Sequence, residues 1–114
     1  MKIDSYHFGE IVIDGKEYKT DVMIYGNVVE GWWREEGHYL QLKDLDWLLE
    51  QAPPPEVLIL GKGRYGLVTV PDDVINALKE RGIEVIVKNT KEACEAYNEL
   101  IGSRRVAAAF HLTC

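Results

Sequence analysis

Two short, uninterrupted apolar runs, Val57-Leu58-Ile59-Leu60 and Val106-Ala107-Ala108-Ala109-Phe110, constrain the fold of this chain more than any other feature. Neither alternates polar with apolar residues, so neither can sit in a sheet with one face in water. Both need cover on both faces, as strands inside an α/β layer have. Both are far too short to span a bilayer. The second run continues into His111-Leu112, and seven residues with only His111 polar would invite edge pairing if exposed. Val106 to Leu112 is therefore expected as a central or near-central strand.

Helical spacing around these runs gives the second half a βαβαβ pattern. A helix from about Asp72 to Arg81 turns Val74, Ile75 and Leu78 inward and stops at Gly82, and Ile83 to Lys88 is a strand. Thr90 suits an N-cap for a helix that buries Ala93, Tyr97, Leu100 and Ile101 and closes at Gly102. Right-handed crossovers make the three strands parallel if they share a sheet; an antiparallel last strand at an edge is the alternative. The first half reads as β. Gly9 to Ile13 and Glu17 to Tyr25 flank the hairpin turn Asp14-Gly15, and Gly26-Asn27 leads into a strand from Val28 to Trp33, with one of Trp32 and Trp33 inward and the other outward. Leu42, Leu45, Leu48 and Leu49 then recur as in one amphipathic helix. The fold class expected is α/β: a single layered domain over 1–114, with a central mixed sheet, helices packed on it and an N-terminal β-hairpin region. Ala52-Pro53-Pro54-Pro55 separates a β-rich part, about 1–51, from the βαβαβ part, about 57–114.

Composition excludes several classes. Thirteen basic against nineteen acidic residues give a net charge of −6, which disfavours nucleic acid and anionic membrane surfaces. Cys94 and Cys114 are too few for a disulfide scaffold and match no zinc spacing. The opening Met1-Lys2-Ile3-Asp4-Ser5-Tyr6-His7 carries an acid where a signal peptide needs its apolar stretch, so a cytoplasmic location is expected.

The sharpest motif is Gly61-Lys62-Gly63-Arg64-Tyr65-Gly66, a G-x-G-x-x-G directly after a buried strand. A dinucleotide site needs a helix to open at the third glycine and an acid at the end of the next strand. Here Leu67 to Pro71 is extended, Asp72 and Asp73 would repel a phosphate, and the next strand ends Lys88-Asn89. No cofactor is expected. Two readings of the loop stay open: a turn shaped by glycine, or a nest of N–H groups that holds a small anion with Lys62 and Arg64 beside it. His111 and Cys114 could form a nucleophilic pair, but strand alternation puts 111 and 113 on one face and 114 on the other, and a terminal carboxylate would raise the Cys114 pKa. Arg34, Glu35, Glu36 and His38 share a polar loop in which Glu and His could exchange a proton while Arg34 holds an anion; a solvated loop is the competing reading. No spacing of His7, His38 and His111 suits a metal.

Trp33-Arg34…Gly37-His38, Leu60-Gly61-Lys62-Gly63, Thr90…Ala93…Tyr97-Asn98 and the ending Arg105-Val106-Ala107-Ala108-Ala109-Phe110-His111-Leu112-Thr113-Cys114 together resemble a small domain family of unassigned biochemical function. It has stand-alone archaeal and bacterial members, of which this chain resembles an archaeal one. Its eukaryotic members include a mitochondrial complex I assembly factor and an adipogenesis-associated protein. The resemblance implies an α/β domain with a mixed sheet and supplies no reaction, cofactor or catalytic residue. The expectation is a non-enzymatic cytoplasmic interaction or assembly domain with a protein partner, anchored by Trp32 or Trp33, Trp47 and Tyr65. The alternative is a small-anion binder or enzyme at the Gly61–Gly66 loop.

Overall fold

In the computed structural model, which describes residues 1–114, both apolar runs lie in the interior of one five-stranded sheet. The strands are β1 (Ile3–His7), β2 (Glu10–Ile13), β3 (Lys16–Tyr18), β4 (Val22–Tyr25), β5 (Val28–Gly31), β6 (Val57–Gly61), β7 (Glu84–Lys88) and β8 (Val106–Phe110). The helices are α1 (Asp46–Leu49), α2 (Asp72–Glu80) and α3 (Thr90–Leu100). Strands β1-β2-β3 form a small antiparallel sheet, and the larger sheet runs β5-β4-β8-β6-β7. Strand β8 is its middle member, parallel to β6 and antiparallel to β4. The sheet is mixed, as expected, and the last strand is not an antiparallel edge.

Alternation divides the core into two layers. Val57, Ile59, Val106, Ala108 and Phe110 face Ala93, Cys94 and Tyr97 of α3 together with Ile3, Ile11 and Ile13 of the small sheet. Leu58, Leu60, Ala107 and Ala109 face Val74 and Leu78 of α2 and Leu45 and Leu48 near α1. The register sets large beside small, with Leu58, Ile59 and Leu60 next to Ala107, Ala108 and Ala109, so both layers close without crowding. No helix is long and apolar enough to cross a membrane.

Several local expectations need correction. Glu17 to Tyr25 is two strands in different sheets, because Lys19-Thr20-Asp21 carries the chain across and the Asp21 carboxylate is tied to the far end of β8. A strand at Ile3–His7 was not anticipated. Strand β5 stops at Gly31, although Trp32 is buried and Trp33 exposed, as alternation requires. The leucine repeat is a 3-10 turn, Leu42–Leu45, before the short α1; Asp44 accepts from the Gln41 N–H, and the Trp32 indole donates to the Asp44 carbonyl. Asn89, not Thr90, is the N-cap of α3, and that helix ends at Leu100, with Leu100 and Ile101 only half-buried. His111 and Leu112 are buried but lie beyond β8.

Candidate functional site

The carboxyl ends of β6, β7 and β8 meet at one end of the sheet, the usual site of ligands in open α/β sheets. What gathers there follows from the segments leaving those strands: the glycine loop after Gly61, Asn89-Thr90 after Lys88, and His111–Cys114 after Phe110. Thr90 is the clamp. Its hydroxyl donates to the His111 carbonyl at 2.6 Å and accepts the Gly63 N–H at 2.8 Å. The His111 N–H donates to the Gly61 carbonyl at 3.0 Å.

Beside this clamp lies a buried charged cluster that joins Asp21, Arg34 and His111. His111 Nδ1 is 2.7 Å from Asp21 Oδ2, and Arg34 Nη2 is 2.9 Å from both of those atoms. A guanidinium can only donate and a carboxylate can only accept. The shorter contact therefore assigns the Nδ1 proton to Asp21, with Arg34 donating to the same oxygen. The Leu112 N–H fills the other carboxylate oxygen at 2.8 Å. Burial alone would raise the Asp21 pKa, but the bonds from His111, Leu112 and Arg34 outweigh it and hold the carboxyl below its ordinary value. His111 Nε2 lies 3.3 Å from Thr113 Oγ1, so 111 and 113 do share a face. Arg34 stacks on Trp32, its Cζ 4.4 Å from the ring centre, and donates from Nε to the Gly37 carbonyl at 2.9 Å.

The candidate residues are partly united. Arg34 and His111 belong to this cluster, and the exposed His38 ring packs edge-on against His111 at 5.6 Å between centroids. Glu36 turns away and accepts from Gln41 at 3.1 Å. Cys114 contributes its carbonyl to the Leu67 N–H at 3.2 Å, while the nitrogens of the His111 ring face Asp21 and Thr113. In the glycine loop the N–H groups of Lys62, Gly63, Arg64, Gly66 and Leu67 all donate within the protein: to Lys88, Thr90, Thr113, Gly63 and Cys114. Gly63 has φ +101°, and a Cβ there would lie 2.6 Å from the Cys114 carbonyl oxygen and 2.7 Å from His111 Cδ2. The close approach of the tail thus requires glycine at this position. Asp21 was missed because Glu17 to Tyr25 looked like continuous strand; the polar pair Thr20-Asp21 before Val22-Met23-Ile24 was the available signal.

A family model described as "Protein of unknown function (DUF498/DUF598)" matches residues 3–111. The chain belongs to that family. Among curated proteins it is similar to NADH dehydrogenase [ubiquinone] 1 alpha subcomplex assembly factor 3 of Bos taurus, at 31% identity over 113 residues, and of Homo sapiens, at 30%. Each alignment covers 96% of this chain but 59% of the relative, so the chain spans little more than half the length of those proteins. Among solved structures, a conserved hypothetical protein from Pyrococcus horikoshii superposes with a TM-score of 0.90 at 34% identity, covering 100% of both chains.

Proposed function

We propose that this family member is a non-enzymatic interaction domain that works in the cytoplasm and binds a protein partner, in the manner that the name of its assembly-factor relatives implies for them. The observation that carries this reading is an exposed aromatic surface at the end of the sheet just described. The Phe8 and Tyr65 rings lie 6.2 Å apart between centroids, with 54% and 67% of their surface open, and Leu67, two residues after Tyr65, is 53% open. Large apolar side chains grouped around a rigid, internally bonded loop suit the anchors of an interface. Tyr65 was among the anchors expected from sequence and Phe8 was not. Trp32 is buried beneath Arg34, while Trp33 is exposed at a different place, beyond β5.

The test is affinity capture from native extract with the wild type and with Phe8→Ala/Tyr65→Ala. A partner recovered with wild type and lost with a variant of unchanged melting temperature supports the reading, and identical recovery from both overturns it. Thermal-shift titration with phosphate and simple carboxylates runs beside it. Interaction alone predicts no shift, whereas a shift lost in Arg64→Ala would move the function to an anion at Gly61–Gly66.

A further inference from the structure

We propose that β5 is the seam of a two-fold symmetric dimer, with a second copy of this chain pairing antiparallel along it. This surface is separate from the Phe8–Tyr65 face, and the inference does not depend on the function proposed above. Strand β5 ends the larger sheet. Its register against β4 sets Glu30 opposite Met23 and Gly31 opposite Val22, and the Trp32 N–H donates to the Asp21 carbonyl at 2.8 Å. Antiparallel ladders alternate, so Val28, Glu30 and Trp32 turn their backbone groups toward β4, and those of Val29 and Gly31 face outward without a strand to meet.

Unpaired edges are ordinarily guarded by charge. The opposite edge, β7, begins and ends with exposed Glu84 and Lys88, and β3 carries exposed Lys16 and Glu17. Strand β5 has the single charge of Glu30. It is bracketed instead by two exposed apolar side chains, Val28 at 48% and Trp33 at 77%, the latter the most open large hydrophobic residue in the protein.

The occupant follows from the two grooves at the ends of β5. At the Val28 end a groove of about 450 Å³ is lined by Arg104 and Arg105 together with Tyr25 and Pro53; Arg104 is ion-paired to Glu56 and Glu84 outside that lining, so Arg105 supplies the positive charge of the groove. At the Gly31 end a groove of about 400 Å³ is lined by Trp33, Trp47, Glu35, Asp44 and Asp46, with Lys43 tied to Glu35. An antiparallel partner strand exchanges these ends. Each arginine groove then meets the acidic, tryptophan-lined groove of the other copy, and the match occurs twice. Parallel pairing would set arginine against arginine. In the register that places Val29 opposite its own copy, Glu30 faces the partner's Val28 rather than the partner's Glu30, Gly31 faces the partner's Asn27, and Trp33, two residues on, passes the partner's hairpin turn on the side of the arginines. The net charge of −6 repels at long range but is screened beyond about 8 Å at physiological ionic strength, while contact pairs are not.

Sedimentation equilibrium over a concentration series reads this directly. Wild type should reach twice the 13.0 kDa chain mass. Arg105→Glu and Asp46→Arg, each checked for an unchanged circular dichroism spectrum, should each sediment as monomers. An equimolar mixture of the two should regain the doubled mass, because a heterodimer restores opposite charges at both ends of the seam. A wild type that stays monomeric at millimolar concentration overturns the proposal. So do variants that remain dimeric alone, or a mixture of folded variants that stays monomeric.

Discussion

Val106–Phe110 and His111–Cys114 adjoin in the chain and are held by different forces. The first contains no polar side chain and is fixed by burial between the two apolar layers. The second is fixed mainly by hydrogen bonds converging from distant segments: Asp21, Thr90, the Tyr6 hydroxyl and Gly9 N–H onto the Leu112 carbonyl, and the Arg64 and Leu67 N–H groups. The contrast separates two jobs. Burial decides whether the sheet forms, and the bonded tail decides which loops stand together at its end, the Phe8 and Tyr65 surface included.

The largest expected effect comes from removing both stretches. Cutting after Arg105 takes away the middle strand, to which β4 and β6 are both hydrogen-bonded. Val106, Phe110 and Leu112 should contribute about 1.5–3 kcal/mol each through burial, a large share of the stability of a small domain. The truncated chain should show no cooperative thermal transition by circular dichroism, whereas the full chain should melt as one unit. A truncation that melts cooperatively would break the comparison at its root.

The tail should be tested next at its charged anchor. Asp21→Asn leaves the Arg34 guanidinium, 5% exposed, without its counter-ion and should cost on the order of 3 kcal/mol at pH 7 by denaturant unfolding. The sign of the pH dependence is fixed by the lowered pKa of Asp21. Below about pH 4 the unfolded chain binds the Asp21 proton before the native one does, so this stabilisation, complete at neutral pH, is lost as pH falls through the native value. The gap between wild type and Asp21→Asn should therefore narrow on acidification. A gap that widens would mean that the carboxylate is not the element holding the tail.

What was legible in the sequence follows the same division. The middle position of β8, the cover on both faces of β6 and the opposite facing of Trp32 and Trp33, though not which of the two is buried, come from burial, which marks the chain locally through apolar runs and alternation; the Asp14-Gly15 hairpin comes from turn chemistry, Gly15 taking its positive φ cheaply. The cluster of Asp21, Arg34 and His111 was only partly legible. Its members come from three segments, and a hydrogen bond between residues ninety positions apart leaves no local pattern. Thr90 shows the limit well. Its position suggested a helix cap, but its hydroxyl serves the His111 carbonyl across the sheet.

A smaller effect is expected where the glycine loop meets the tail. Gly63→Ala places a Cβ against the Cys114 and His111 atoms at a φ that alanine rarely adopts, and should cost about 1–3 kcal/mol. Gly102→Ala is the control, since Gly102 has nothing within 4 Å and no left-handed φ. Equal melting temperatures for the two variants would show that the tail does not press on the loop.

The smallest effect concerns the two thiols. Cys114 engages the loop through its carbonyl, so Cys114→Ser keeps the contact made by Leu67 and should shift stability by no more than about 0.5 kcal/mol. Cys94 belongs to the buried layer around β8, and burial pushes its thiol up to about 12. Because the thiolate is the reacting form, a disulfide probe at pH 8 should label the half-exposed Cys114 promptly and reach Cys94 only at the rate at which that layer opens. Equal labelling of both thiols in the native protein would mean that the layer beneath α3 is open to solvent. A Cys114→Ser variant that folds normally yet fails in partner capture would give the tail a role beyond gathering loops.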